Sequence, residues 1–210
     1  MWSEDKIKAK MGKVHCMDCM DFMVNIPDNY FDLICCDPPY GIGDKFKGGK
    51  SGKMNFNEVV DRGWDVAPSN EVFNEIFRIS KNQIIWGGNY FKLPPTRGFI
   101  IWDKKIQPDF SLAMAEYAWT SFDALPKIYR YCSQVAGKQH PTQKPLKLIE
   151  FCLEYAKADK SFKVFDPFMG SGTTAVACQS LGLDWCGCEL EPDYVAIANK
   201  RLEQVQGSLF

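Results

Sequence analysis

An α/β fold is predicted, because short apolar runs and helical patterns alternate along the chain with turn signals between them. Two of those runs, Phe31 to Cys36 and Val164-Phe165, end at an acidic residue followed by proline, Asp37-Pro38 and Asp166-Pro167. Proline cannot continue a strand ladder, so each run stops at a loop, where active residues tend to lie. The 210 residues are 46% apolar, enough to bury the core of a single domain spanning 1–210.

Taken in order, Lys13 to Cys16 reads as a strand, Cys19 to Ile26 as a helix and Phe31 to Cys36 as a buried strand. Residues 41–63 are rich in Gly, Lys and Asn with little apolar periodicity, and are expected to form a mobile loop. Pro68 to Ser80 carries Val72, Phe73, Ile76 and Phe77 at helical spacing, and Gln83 to Trp86 is the next strand, closed by Gly87-Gly88. Gly98 to Trp102, Glu116 to Phe122 and Lys127 to Tyr131 have β character. Pro145 opens a helix to Ala156, Val164-Phe165 is a strand, Gly172 to Leu181 a helix, Trp185 to Cys188 a strand and Glu191 to Val205 the closing helix.

Lys and Arg number 25 against 26 Asp and Glu, so no overall field holds a polyanion and any nucleic-acid contact must use a local patch. No apolar run approaches a membrane span, and Met1 to Gly12 is charged where a signal peptide would be apolar, so a cytoplasmic protein without membrane contact is expected. Cys16-x-x-Cys19 with Cys186-x-Cys188 is the nearest approach to a zinc set. No metal is expected, because Cys35, Cys36, Cys186 and Cys188 sit in apolar runs where free cysteine acts as a small hydrophobe.

The stretch Asp166-Pro167-Phe168-Met169-Gly170-Ser171-Gly172-Thr173-Thr174 lies between a strand and a helix. Its glycines let backbone approach a ligand, and the helix start presents free N–H groups. It has no Lys after the second glycine, as a P-loop would, and lacks the third glycine of a dinucleotide site. Glu189 ends the next strand, where a carboxylate can accept hydrogen bonds from two ribose hydroxyls, so a nucleoside site is favoured. In Asp37-Pro38-Pro39-Tyr40, the Asp37 carboxylate and the Pro38 carbonyl can hold both hydrogens of an exocyclic amine and turn its lone pair outward. Tyr40 offers a flat face to a base taken out of the duplex.

These motifs resemble the β-class DNA amino-methyltransferases, in which the catalytic motif precedes the cofactor motif. His15 to Asp18, Trp86-Gly87-Gly88-Asn89-Tyr90-Phe91, Trp102-Asp103-Lys104, His140-Pro141-Thr142-Gln143-Lys144-Pro145 and Gly187-x-Glu189 with Tyr194, Ala198 and Arg201 are similar to further family motifs. The resemblance implies a Rossmann-like methyltransferase fold: a mostly parallel seven-stranded sheet with one antiparallel strand and helices on both faces. It implies S-adenosylmethionine as cofactor, with Glu189 on the ribose, Asp18 near the adenine amine, and Asp166, Phe168, Gly170, Ser171, Gly172 and Thr173 around the methionine half. Lys144 is expected against the cofactor's carboxylate. The Asp at position 37 resembles the adenine-N6 subset, whereas cytosine-N4 enzymes more often carry Ser there.

DNA is the expected partner, with a homodimer or specificity subunit and a cognate restriction enzyme as further partners. The recognition segment, 105–139, is short for the family, and Lys45, Lys47, Lys50 and Lys53 are the expected phosphate contacts. Cytosine-N4 methylation, methylation of RNA or a protein amide, and an inactive binding subunit are the alternatives. Cytosine-C5 chemistry is disfavoured because the chain has no Pro-Cys pair.

Overall fold

The computed structural model describes residues 1–42, 65–106, 113–132 and 143–207. Lys45, Lys47, Lys50, Lys53, His140 and most of the predicted 41–63 loop lie outside these residues.

The described residues form an eight-stranded sheet: β1 (Val14–Cys16), β2 (Phe31–Cys36), β3 (Ser80–Trp86), β4 (Phe99–Asp103), β5 (Ala115–Thr120), β6 (Lys127–Arg130), β7 (Lys163–Asp166) and β8 (Asp184–Glu189). The spatial order is β1-β8-β7-β2-β3-β5-β4-β6, and β5 alone runs against its neighbours. The resemblance implies seven strands and the structure has eight. All eight strand patterns of the sequence form, with Lys127–Arg130 taking the edge parallel to β4. Residues 113–132 of the expected recognition segment are thus largely sheet.

Among the described residues six α-helices accompany the strands: α1 (Glu4–Lys8), α2 (Cys19–Met23), α3 (Asn70–Ile79), α4 (Leu146–Tyr155), α5 (Thr173–Leu181) and α6 (Pro192–Gly207). Period-two alternation sorts β2 onto two cores, as strands buried on both faces require. Leu33 and Cys35 join the core under α4, α5 and α6, while Ile34 and Cys36 join the core with Phe22 of α2 and Phe73, Ile76 and Ile79 of α3. Phe31, Phe165 and Phe22 stack through the second core, with ring centroids 4.9 and 5.1 Å apart. Cys35, Cys36, Cys186 and Cys188 are buried free thiols. Among the described residues no helix is long and apolar enough to cross a membrane.

The topology locates the crevice. From β7 the chain crosses through α5 to β8 on one side, and from β2 it reaches β3 through α3 on the other, with the two helices on opposite faces. Between adjacent β7 and β2 the connections part, and such a switch point opens a cleft at the carboxyl ends of the strands. Along that edge stand, in spatial order, Asp18, Glu189, Asp166, Asp37 and Gly87.

Candidate active site

Asp37 follows β2 directly, and both of its carboxylate oxygens are engaged. Oδ1 accepts a 2.6 Å hydrogen bond from the Tyr40 hydroxyl, and Oδ2 accepts one of 2.6 Å from the Lys144 ammonium. Tyr40 lies against Tyr90, with ring centroids 4.9 Å apart and planes 20° from parallel. Tyr90 itself is 48% exposed. Gly87 has φ of +67°, and a Cβ there would fall within the Tyr40 ring. Conformation and space both demand glycine at the end of β3.

The ammonium of Lys144 lies on Asp37 and 2.9 Å from Glu116 of β5. Lys104 holds the other oxygen of Glu116 at 2.6 Å. Burial by itself would lower the Lys144 pKa, but the charges of Asp37 and Glu116 carry it well above the ordinary lysine value. Burial likewise opposes ionisation of Glu116, yet Lys144 and Lys104 together hold its pKa at about 2. Two cations and two anions therefore alternate from Lys104 to Asp37. Neither Glu116 nor the Lys144–Asp37 pairing is expected from sequence. The available signal was period two, which puts Glu116 on the same strand face as the fully buried Ala118 and Thr120. A carboxylate at an inward position requires a partner.

The turn after β7 is shaped by its own residues. Asp166 is buried at 3% exposure and accepts from the Phe168 N–H at 2.9 Å and from the Thr174 hydroxyl. Burial, with the nearby carboxylates of Asp37 and Glu189 adding to it, outweighs those bonds and raises its pKa to about 7. Gly170 has φ of +53° and nothing nearer to a notional Cβ than the Phe168 carbonyl at 4.0 Å, so that side of the turn is open. Gly172 differs: at φ +84°, a Cβ would lie 2.7 Å from the Ala198 Cβ, so its bareness serves the approach of α6. Arg201 of α6 donates to the Ser171 carbonyl and, at 3.1 Å, to the Thr173 hydroxyl, tying helix to turn.

Glu189, at the end of β8, accepts from the Gly170 N–H at 2.8 Å on Oε2 and from the Glu191 N–H at 2.9 Å on Oε1. Each carboxylate oxygen has two acceptor directions, so one remains on each. The carboxylate is thus already aimed, with capacity for two vicinal hydroxyls. Asp18 caps α2 by accepting from the Met20 N–H at 2.7 Å, at the same sheet edge. The aimed Glu189 fits the ribose of a nucleoside-containing cofactor, and the open Gly170 and half-buried Phe168 leave the adjoining turn accessible. Among the described residues, no three or more His, Cys, Asp or Glu side chains converge as a metal-ligand set.

Comparison with known proteins agrees with this arrangement. The type II methyltransferase M2.MboI of Moraxella bovis is 26% identical over 244 aligned positions, taking in 90% of this chain and 86% of that protein. Among solved structures, the complex of M1.HpyAVI with SAM superposes with a TM-score of 0.58 at 23% identity, covering 90% of this chain and 98% of the other. The cytosine-N4-specific PvuII DNA methyltransferase superposes with a TM-score of 0.63 at 17% identity, covering 92% and 89%. Those two likenesses show the fold. The model of a DNA methylase family, the N6/N4 methylases, matches residues 69–200, from the residue that caps α3 through the Asp166 turn into α6. With well over half its length matched, the chain belongs to the N6/N4 DNA methylase family.

Proposed function

We propose that the protein transfers a methyl group from S-adenosylmethionine to the N6 amine of adenine in DNA. The observation that carries this reading is the adjacency, at the β7/β2 crevice, of the aimed Glu189 carboxylate and the Asp37–Tyr40 pair. When bound, the cofactor supplies a methyl group already activated by the positive charge on its sulfur.

The remaining work falls to the chain. Glu189 holds the ribose hydroxyls with its two unused acceptor directions, while the open face of Gly170 and the neighbouring Phe168 flank the methionine half. Asp18 lies at the edge where the adenine ring would end. Asp37, with its oxygens fixed by Tyr40 and Lys144, and the Pro38 carbonyl accept the hydrogens of the target amine. That grip disfavours delocalisation of its lone pair into the ring and points the pair toward the methyl group. An exocyclic amine is out of reach inside a duplex, so the base must leave the stack. The Tyr40–Tyr90 pair, with one ring half exposed, supplies the aromatic surface for it. Lys45, Lys47, Lys50 and Lys53 are proposed, on sequence alone, as phosphate contacts.

Adenine is preferred over cytosine because Asp heads the motif at position 37. The deciding experiment treats unmethylated duplex DNA with purified protein and labelled cofactor, then identifies the methylated nucleoside by mass spectrometry. N6-methyladenine is expected. Dominant N4-methylcytosine overturns the base assignment, and label appearing only in tRNA or protein fractions overturns the choice of DNA.

A further inference from the structure

We propose that Glu116 is a positioning residue for methyl transfer: lodged between Lys104 and Lys144, it fixes the Lys144 ammonium and takes up part of its charge, leaving Asp37 free to accept from the target amine. The inference rests on the reading of Asp37 as the group that receives that amine.

The geometry carries it in four steps. Lys144 is buried, so its ammonium must find acceptors within the protein. The ammonium donates to Asp37 Oδ2 at 2.6 Å and to the Tyr40 hydroxyl at 3.4 Å, and forms an ion pair with Glu116 Oε2 at 2.9 Å. Facing Asp37 alone, a full ammonium at that distance would claim the carboxylate and weaken it as an acceptor. Glu116 draws on the same ammonium through Oε2, and Lys104, 2.6 Å from its other oxygen, holds Glu116 in place.

The backbone under Glu116 is firm. It pairs in register with Trp102 of β4, and β5 continues into Ala118 and Thr120, both fully buried. Lys104, directly after β4, stands on the paired strand, with its ammonium 5.3 Å from the Trp102 ring centroid. The only antiparallel strand of the sheet thus delivers a carboxylate to a motif that lies two strands away.

A purely structural ion pair would affect stability alone, so the test reads Lys144 and the chemical step separately. Among the described residues, the groups facing the Lys144 ammonium are Asp37 and Tyr40 after β2, the Trp86 ring of β3, and Glu116 of β5, itself backed by Lys104. Lys144 is followed by NMR of lysine-labelled protein, its resonance assigned with Lys144→Arg. In Glu116→Gln its titration midpoint is expected to fall by about 1–3 pH units, as loss of an adjacent opposite charge requires. Single-turnover methyl transfer is expected to fall about tenfold or more through loss of alignment, with cofactor affinity held within about twofold.

Glu116→Asp restores part of both effects. If Glu116→Gln fails to fold, Lys104→Gln leaves the buried pair intact: loss of a neighbouring like charge is expected to raise the Lys144 midpoint, while the looser Glu116 lowers transfer by less than Glu116→Gln does. An unmoved Lys144 titration, or a moved titration with unchanged transfer, overturns the proposal. The titration needs neither cofactor nor DNA. A wild-type protein that methylates nothing therefore counts against the proposed function, and an unmoved Lys144 counts against Glu116.

Discussion

The Tyr40 hydroxyl donates a 2.6 Å hydrogen bond to Oδ1 of Asp37, three residues before it, so the acceptor and the stacking ring of one motif are held as a unit. Lys144 closes the same unit from 107 residues away in sequence. Asp37→Ala is therefore expected to act twice. Methyl transfer should be abolished while cofactor affinity stays near wild type, because the carboxylate acts on the amine. The fold should lose about 3–5 kcal/mol, because a buried ammonium loses one of the two carboxylates it is paired with among the described residues. Denaturant melts and single-turnover assays check both, and near-normal turnover on DNA would rule out the assigned role.

Tyr90 is the residue by which the aromatic surface is most simply tested. Its ring lies on Tyr40 and is half exposed, and such a stack contributes roughly 0.5–1.5 kcal/mol beyond its buried area. Tyr90→Ala should lower turnover on DNA by about two- to tenfold, in line with that energy, and leave cofactor binding unchanged. Tyr90→Phe, which keeps the ring, should restore activity. A loss in Tyr90→Phe as large as in Tyr90→Ala would assign the effect to the hydroxyl.

How much of this was legible depends on the range of the physics. β2 is readable because six consecutive residues, Phe31–Cys36, are apolar but for Asp32, and the two prolines that stop it are adjacent to it. Each of the eight strands is readable as an apolar or β-patterned run, whereas their order in the sheet is set by contacts between segments far apart in sequence. α1 escaped notice because five residues offer hardly more than one turn of periodicity, although Ser3 caps it and Glu4 and Asp5 open it. The Lys104, Glu116, Lys144 and Asp37 chain joins residues from four segments, and nothing local announces such a pairing. For Gly172, local reasoning expected a glycine that lets backbone approach a ligand. The neighbour turned out to be Ala198, 26 residues on.

The two glycines of the turn should consequently separate. Gly172→Ala drives a methyl group against Ala198 in a left-handed backbone, so it is expected to destabilise the protein by about 2–5 kcal/mol. Gly170→Ala meets open space and should cost only the left-handed penalty of about 1–2 kcal/mol, yet it puts a methyl group where the methionine half is proposed to lie. Thermal melts with calorimetric cofactor titration compare them. If Gly170→Ala binds cofactor as well as wild type, the open face is not the cofactor side.

Glu189 is expected to govern cofactor affinity in the absence of DNA. Its two oxygens are aimed by the Gly170 and Glu191 N–H groups, and each bond it gives a ribose hydroxyl as a charged acceptor contributes about 1.5–3 kcal/mol. Glu189→Ala should weaken binding at least about tenfold by isothermal titration. Unchanged affinity would remove Glu189 from the site.

Asp166 should make stability fall as pH rises. Its pKa is 3.8 in a solvated chain and about 7 in the fold, where burial penalises the charged form. Below 3.8 both states are protonated and the full contribution is present. Between the two values the folded protein keeps a proton that the unfolded chain has released, so each pH unit costs the fold about 1.4 kcal/mol. Once pH passes the folded value, the loss is complete, of the order of 4 kcal/mol. Asp166→Asn cannot ionise, and its Oδ1 can still accept from the Phe168 N–H while its amide faces the Thr174 hydroxyl. The variant should match wild type near pH 4 and exceed it by a few kcal/mol near pH 8 in urea melts of the cofactor-free protein. A difference between the two that does not change with pH would mean that Asp166 ionises in the fold as it does in water, and that the turn after β7 is wetter than its 3% exposure implies.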